Sequence, residues 1–217
     1  MDETKNTQDL HGMVPDKSSV ALLLVDVIND LEFEGAEKLE RYILPMAKNL
    51  AGLKSRAKKA GIPVIYVNDN YGKWQSDLNK LVDRCLNEDV RGKMLVEILR
   101  PEQDDYFVLK PKHSGFFSTS LEVLLKYLNA RTVILGGIAG NICILFTAND
   151  VYMRDMGLYV PSDCCASNEK TDNDHALALM ESILKADIRP SPKLDLRKIL
   201  RDAERKEPTV PVTDAPP

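Results

Sequence analysis

Residues 18–27, SSVALLLVDV, form an apolar run without a polar interruption that closes on an aspartate. A strand with one wet face alternates apolar and polar residues. A run without alternation belongs to a strand covered on both faces, the environment of a central strand in a parallel sheet. Comparable runs recur: PVIYVND (63–69), DYFVLK (105–110), TVILGG (132–137) and LYVPSD (158–163), with ADIRP (186–190) as a short sixth. Helical spacing fills the gaps between them. Met46, Leu50, Leu53 and Ala57 repeat at intervals of three and four, with Pro45 expected near the first turn and Gly61 as the breaker in KKAGIP. STSLEVLLKYLNA (118–130) sets Leu121, Leu124, Leu125 and Leu128 on one face behind a Ser or Thr cap. NICILFTANDVYMRDMG (141–157) runs to a glycine, and NDHALALMESILK (173–185) is amphipathic. The alternation predicts an α/β fold: one domain, a doubly wound and mostly parallel sheet of about six strands, helices on both faces and right-handed crossovers.

Length and charge narrow the function. A chain of 217 residues fits one α/β domain, spanning 18–204, with a polar arm over 1–17 and a Pro-rich tail over 205–217. The segment 70–103 is long, charge-rich and weakly periodic, the character of short helices forming a lid or a subunit contact. With 29 basic against 33 acidic residues and no basic stripe, no nucleic-acid or membrane partner is expected. No apolar run approaches the roughly 18 residues of a membrane span, and the polar N-terminus has no secretory core segment. Cys85, Cys143, Cys164 and Cys165 contain no CxxC pair, and His11, His113 and His175 are scattered. Neither a disulfide framework nor a metal site is therefore expected, and the localisation read from this is cytoplasmic.

In a doubly wound sheet, ligands meet the carboxyl ends of the strands. Asp26, Asn68 with Asp69, Lys110 and Asp163 stand at those ends, and Cys143 follows the fourth strand directly. Gly136, Gly137 and Gly140 permit a sharp strand-to-helix turn. A thiol in the first helical turn meets the positive end of the dipole, and beside a lysine its pKa is expected to fall from about 8.5 to roughly 3.5–7.5. Cys143 then reads as a nucleophile, Asp26 as the group that takes and returns its proton, and Lys110 as the cation holding both charges. The same turn can aim two N–H groups at an oxyanion.

LLLVDVINDL, VLKPKHSGFFSTSLEVLL and GGIAGNICILFTANDVYMRDMGLYVPSDCCAS together resemble the isochorismatase-like cysteine hydrolases, over about residues 18–190. Position by position, the resemblance puts the family's catalytic aspartate on Asp26, its lysine on Lys110 (four residues before Ser114, in preference to Lys112) and its cysteine on Cys143. It implies a cis peptide at Ile138–Ala139, an oxyanion hole from the Ala139 and Cys143 N–H groups, no cofactor, and a homo-oligomer, dimer or tetramer. Two departures select among family activities. VNDNYGKWQSD contains no histidine, unlike the metal-holding segment of nicotinamidases. Cys143 is present, unlike in isochorismatases, which cleave a vinyl ether by protonation. Gly115 also stands where the family usually has alanine. The expectation is hydrolysis of a C–N bond in a small-molecule amide or ureido substrate through a cysteinyl acyl-enzyme. The alternatives are vinyl ether hydrolysis and a non-catalytic interaction protein; a dinucleotide-binding oxidoreductase fits poorly, because the glycines read GGxxG and lie in the fourth βα unit. Leu31, Asn68, Tyr71, Trp74 and Phe117 are the substrate-pocket candidates, and Lys73, Arg84 and Arg91 point to an anionic partner.

Overall fold

The computed structural model describes residues 17–69 and 77–205. Strands β1 (Val20–Val25), β2 (Val64–Asp69), β3 (Tyr106–Lys110), β4 (Thr132–Ile138), β5 (Gly157–Tyr159) and β6 (Cys165–Ala166) are parallel. Their order is β3-β2-β1-β4-β5, with β6 also paired to β4. β1 is flanked on both edges, Val25 lying opposite Val67 of β2 and Gly137 of β4.

Burial on both faces explains the unbroken apolar run. Val20, Leu22 and Leu24 join one core cluster, while Ala21, Leu23 and Val25 join the other. The first cluster takes its helical side chains from α1 (Ala36–Lys59), α3 (Lys93–Ile98) and α7 (Leu196–Glu204), with Cys85 of α2 (Leu78–Asn87). The second takes them from α4 (Leu121–Leu128), α5 (Leu145–Tyr152) and α6 (Lys170–Ser182). Each fully buried leucine of β1 contributes about 1.5–3 kcal/mol by leaving water.

Several boundaries differ from the sequence reading. Pro45 lies inside α1 rather than near its start, because the helix begins nine residues earlier, at Ala36, after Gly35 in a left-handed conformation. The ring removes one backbone donor, but Ile43, Met46 and Ala47 are buried around it and hold the helix together. The other end is as expected. Gly61 (φ 73°) donates to the Lys58 carbonyl and Ile62 to that of Ala57, a Schellman closure. β5 stops at Tyr159, so Asp163 does not close a strand. It sits on a short 3-10 turn and accepts from Ser191 N (2.6 Å) and Ser191 Oγ (2.9 Å). The sixth strand is Cys165–Ala166; residues 186–190 make only an isolated bridge, Asp187 to Tyr159. The segment expected to be helical to Gly157 is a π-turn over Gly140–Ile144 followed by α5, and its left-handed terminal residue is Asp155. Gly157 begins β5 instead. α7, capped by the Asp195 side chain on Lys198 N at 3.0 Å, was not anticipated.

Candidate active site

The chain adds β2 and β3 on one side of β1, then crosses to place β4 on the other. The crevice between β1 and β4 is thus the point where strand order reverses, the expected ligand position in an open α/β sheet. Asp26 leaves β1 there and Cys143 follows β4. Asp26 has a left-handed backbone (φ 54°), and its N–H donates to the Val67 carbonyl at 3.0 Å. Lys110 arrives from β3, where it is paired with Asp69 of β2.

These side chains touch. Lys110 Nζ lies 2.9 Å from Asp26 Oδ2, 3.6 Å from Cys143 Sγ and 3.5 Å from Asp69 Oδ2. The Asp69 N–H donates to Asp26 Oδ1 at 2.8 Å. Lys110 is fully buried, which it tolerates because it contacts two carboxylates.

The turn that delivers the sulfur is built by close approach. Gly137 has φ 130°, and a Cβ there would sit 2.0 Å from the Val25 carbonyl oxygen, so only glycine lets β4 pass β1 this closely. The Ile138–Ala139 peptide is cis. The Ala139 carbonyl then accepts from Ile142 N (3.0 Å) and Ile144 N (3.1 Å), and Cys143 is the fourth residue of the π-turn rather than part of a regular α-helical start. Ser167 Oγ, itself hydrogen-bonded to Asn173 Oδ1 at 3.1 Å, accepts from Asn141 N at 3.1 Å. Thr147 Oγ1 donates to the Cys143 carbonyl (2.7 Å) and accepts from Gly115 N (3.0 Å), tying the loop after Lys110 to the helix behind the thiol.

The electrostatics overturn one expectation. Burial, followed by the neighbouring Asp26 carboxylate, pushes the Cys143 thiol up to about 12, against the lowering influence of Lys110. Burial also raises Asp26 above the ordinary aspartate value of 3.8, although Lys110 opposes it. For Lys110 the burial penalty acts downward, and the charges of Asp26, Cys143 and Asp69 outweigh it to raise the ammonium. Burial and the Asp26 carboxylate thus favour the thiol form, opposite to the lowering that a helix start suggested.

The pocket candidates do not all reach this cluster. Leu31 is buried in the core beside α1, its N–H on Asn29 Oδ1. Asn68 is buried, and its Nδ2 donates to the Ile28 carbonyl at 2.7 Å, clamping the loop after β1. Phe117 is 56% exposed on the loop after Lys110. Tyr71, Trp74 and Lys73 lie outside the described residues. Arg84 pairs with Asp30 (3.1 Å), and Arg91 with Glu32 (3.9 Å) and Glu40 (3.8 Å), so neither cation is reserved for a ligand. Among the described residues no group of three His, Cys, Asp or Glu is placed to hold a metal. Sequence reasoning placed Asp69 at the rim without giving it a role, and missed Ser167 and Asn173. Asp69 carried a signal, a second acid at a strand end; Ser167 and Asn173 act across 26 or more residues and carried none.

Comparison with known proteins gives a consistent set. The isochorismatase-domain family model matches residues 20–187. A protein of Bacillus subtilis described as the uncharacterised isochorismatase family protein YaaI is 45% identical over 172 residues, covering 79% of this chain and 94% of that protein. The ureidoacrylate amidohydrolase RutB of Acinetobacter baylyi is 26% identical over 56% of this chain and 58% of its own length, so the match spans less than two thirds of that relative. Among solved structures, N-carbamoylsarcosine amidase from Thermoplasma acidophilum superposes with a TM-score of 0.62 over 82% of this chain and 99% of that one, at 23% identity, a likeness of fold.

Proposed function

This chain belongs to the isochorismatase family, and from that premise we propose that it is a cysteine hydrolase cleaving the C–N bond of a small amide or ureido compound. The observation that carries the reading is one ammonium, Lys110, bridging a carboxylate at 2.9 Å and a thiol at 3.6 Å at the strand-order switch. The amidohydrolase named among the relatives is in keeping with it.

The sequence of steps follows from the contacts of Lys110 with the acid and the sulfur. Cys143 Sγ attacks the substrate carbonyl carbon as Asp26 takes the thiol proton, so a thiolate exists only during attack, with Lys110 beside it. The carbonyl oxygen becomes an oxyanion, for which the Ala139 and Cys143 N–H groups are the proposed donors. Asp26 returns its proton to the departing nitrogen, the C–N bond breaks, and a thioester remains. Water then adds to the thioester, giving a proton to Asp26; collapse releases the acid and restores the thiol.

A screen of small amides and ureido acids against the wild type and Cys143→Ala tests the reading. Turnover should disappear in the variant while its circular dichroism is unchanged; undiminished turnover would reject it. The raised pKa of Asp26 favours a second reading, since a protonated carboxyl is what vinyl ether cleavage needs. Isochorismate hydrolysis that survives Cys143→Ala but not Asp26→Asn would establish that instead.

A further inference from the structure

Helices on the outer layer of a sheet normally turn a polar face to water. α5 and α6 do not. Ile142 of the π-turn and Phe146 of α5 are four residues apart, and Met153 at the end of α5 follows two turns later. All three stand on the side away from Ile144, Ala148 and Val151, which enter the core. On α6, which packs against α5, Leu179 and the capping Ile183 repeat the four-residue spacing. With Tyr152 these side chains are 39–69% exposed. Together they leave on the order of 600 Å² of apolar surface open to water, the upper end for the largest patch on a typical monomer. With the polar residues between them, the face approaches the roughly 800 Å² that each partner gives to an interface of standard size.

The charges beside this surface say what covers it. Arg154 engages Asp150 at 2.6 Å and Glu122 of α4 at 3.0 Å, and Lys126 engages Glu122 at 2.8 Å. Two acids thus meet two bases within the same layer. A face balanced in this way selects no oppositely charged partner and does not repel its own copy, and a two-fold axis is how one patch covers itself. The chain's own N-terminal arm is a poorer cover, since residues 1–16 set only Met1, Leu10, Met13, Val14 and Pro15 among polar and charged neighbours. We propose that the outer face of α5 and α6 is a two-fold interface with a second copy of this chain. Ile142 directly precedes Cys143, so the contact ends at the turn that carries the thiol. The interface does not depend on the reaction proposed above.

Light scattering and hydrogen exchange on the full chain test this. At micromolar concentration the wild type should have at least twice the mass of one chain. On dilution, amides of α5 and α6 should exchange faster while those of α1 and α3 stay unchanged. Met153→Glu and Ile183→Glu put a carboxylate at exposed positions of the single chain, where folding is little affected, but the two-fold buries it twice. Each should weaken association at least about a hundredfold and halve the wild-type mass, with an unchanged circular dichroism spectrum. Met94→Glu, at an exposed position of α3, should leave the association intact. A wild type with the mass of one chain at every concentration would overturn the proposal. So would an assembly that survives both variants, or one whose protected amides lie in α1 and α3. Protection of α5 and α6 in a single chain that vanishes on deletion of residues 1–16 would overturn it in favour of the arm. Should a variant fail to fold, the exchange pattern of the wild type decides alone.

Discussion

At the scale of single residues, the site is a contest between burial and charge. Asp26 alone in this crevice would hold its proton; Lys110 at 2.9 Å works to keep it ionised. In its proposed role as the base that accepts the thiol proton, Asp26 should make activity fall on the acid side as pH drops through its pKa. That limb should lie above the ordinary aspartate value of 3.8. Lys110 is raised from 10.5, so loss of its ammonium should not limit the rate below that pH. A pH profile of kcat/KM whose acid limb stayed at or below 3.8 would contradict the assignment of Asp26. Stability follows with the opposite sense. A carboxyl whose folded pKa exceeds its unfolded value contributes most below the unfolded pKa, and that contribution is lost as pH rises through the folded one. Removing the ammonium widens the gap. Lys110→Met should therefore destabilise by about 3–5 kcal/mol at neutral pH, where Asp26 is left buried and unpaired, and by clearly less near pH 4, where it can protonate. Urea unfolding at the two pH values measures this. Asp26 and Lys110 were legible in the sequence because each stands where a strand ends, and Cys143 because it follows the glycines of a strand-to-helix turn. The ionisation state of the thiol was not, since it depends on how deeply the turn is buried and on an acid 117 residues away.

At the scale of elements, the turn that carries Cys143 is held by what stands behind it. A Cβ at Gly140 would lie 2.1 Å from Asn173 Oδ1, and Asn173 bonds Ser167, which holds Asn141 N. α6 is thereby seated against the π-turn that carries Cys143. Gly140→Ala should push Asn173 off Ser167 and reduce kcat/KM at least about tenfold, because a displacement near 1 Å at a reacting group can cost about a hundredfold. Asn173→Ala in the same chain makes room for the new methyl group. A double variant more active than Gly140→Ala alone is the expected non-additivity, and simple multiplication of the two losses would show the contact to be unimportant. The glycines themselves signalled a turn from sequence. Their partners did not, because Asn173 and Ser167 lie 33 and 27 residues further on and meet Gly140 only once β6 and α6 have packed. The misplaced strand has the same origin. LYVPSD looked continuous, but at Pro161 the chain turns aside, Asp163 is drawn to Ser191, and only then do Cys165 and Ala166 return to β4.

At the scale of the whole molecule, apolar periodicity carried the fold. Runs buried on both faces imply a parallel sheet, and parallel strands need right-handed crossovers, which cover one face while the strand order runs one way and the other face once it reverses. That logic needs no knowledge of individual contacts, which is why the layer arrangement was readable while α7 and Pro45 were not. What the pattern could not reveal is how the long helix α1 is locked to the segment leading into β3. Lys54, an interior position of α1, is buried with Nζ at 2.6 Å from Asp105 Oδ2, 3.1 Å from Tyr66 Oη and 3.2 Å from the Arg100 carbonyl. Lys58, one turn on, reaches Glu102, Asp104 and Asp105 as well. Asp105 immediately precedes the strand that presents Lys110, so the lock also fixes where β3 begins. Removing the buried cation leaves the enclosed Asp105 carboxylate with Lys58 as its remaining ammonium. Lys54→Ala should cost about 2–3 kcal/mol and lower Tm by roughly 5–10 °C in a chain of this size. Because Lys54 is not among the groups touching Cys143, kcat/KM measured well below the new Tm should stay within about twofold of wild type, as surplus stability is lost without moving the reacting atoms. A Tm unchanged by the substitution would mean that α1 is held by its apolar face alone; an unchanged Tm with lost activity would place Lys54 in the catalytic machinery, where no contact puts it.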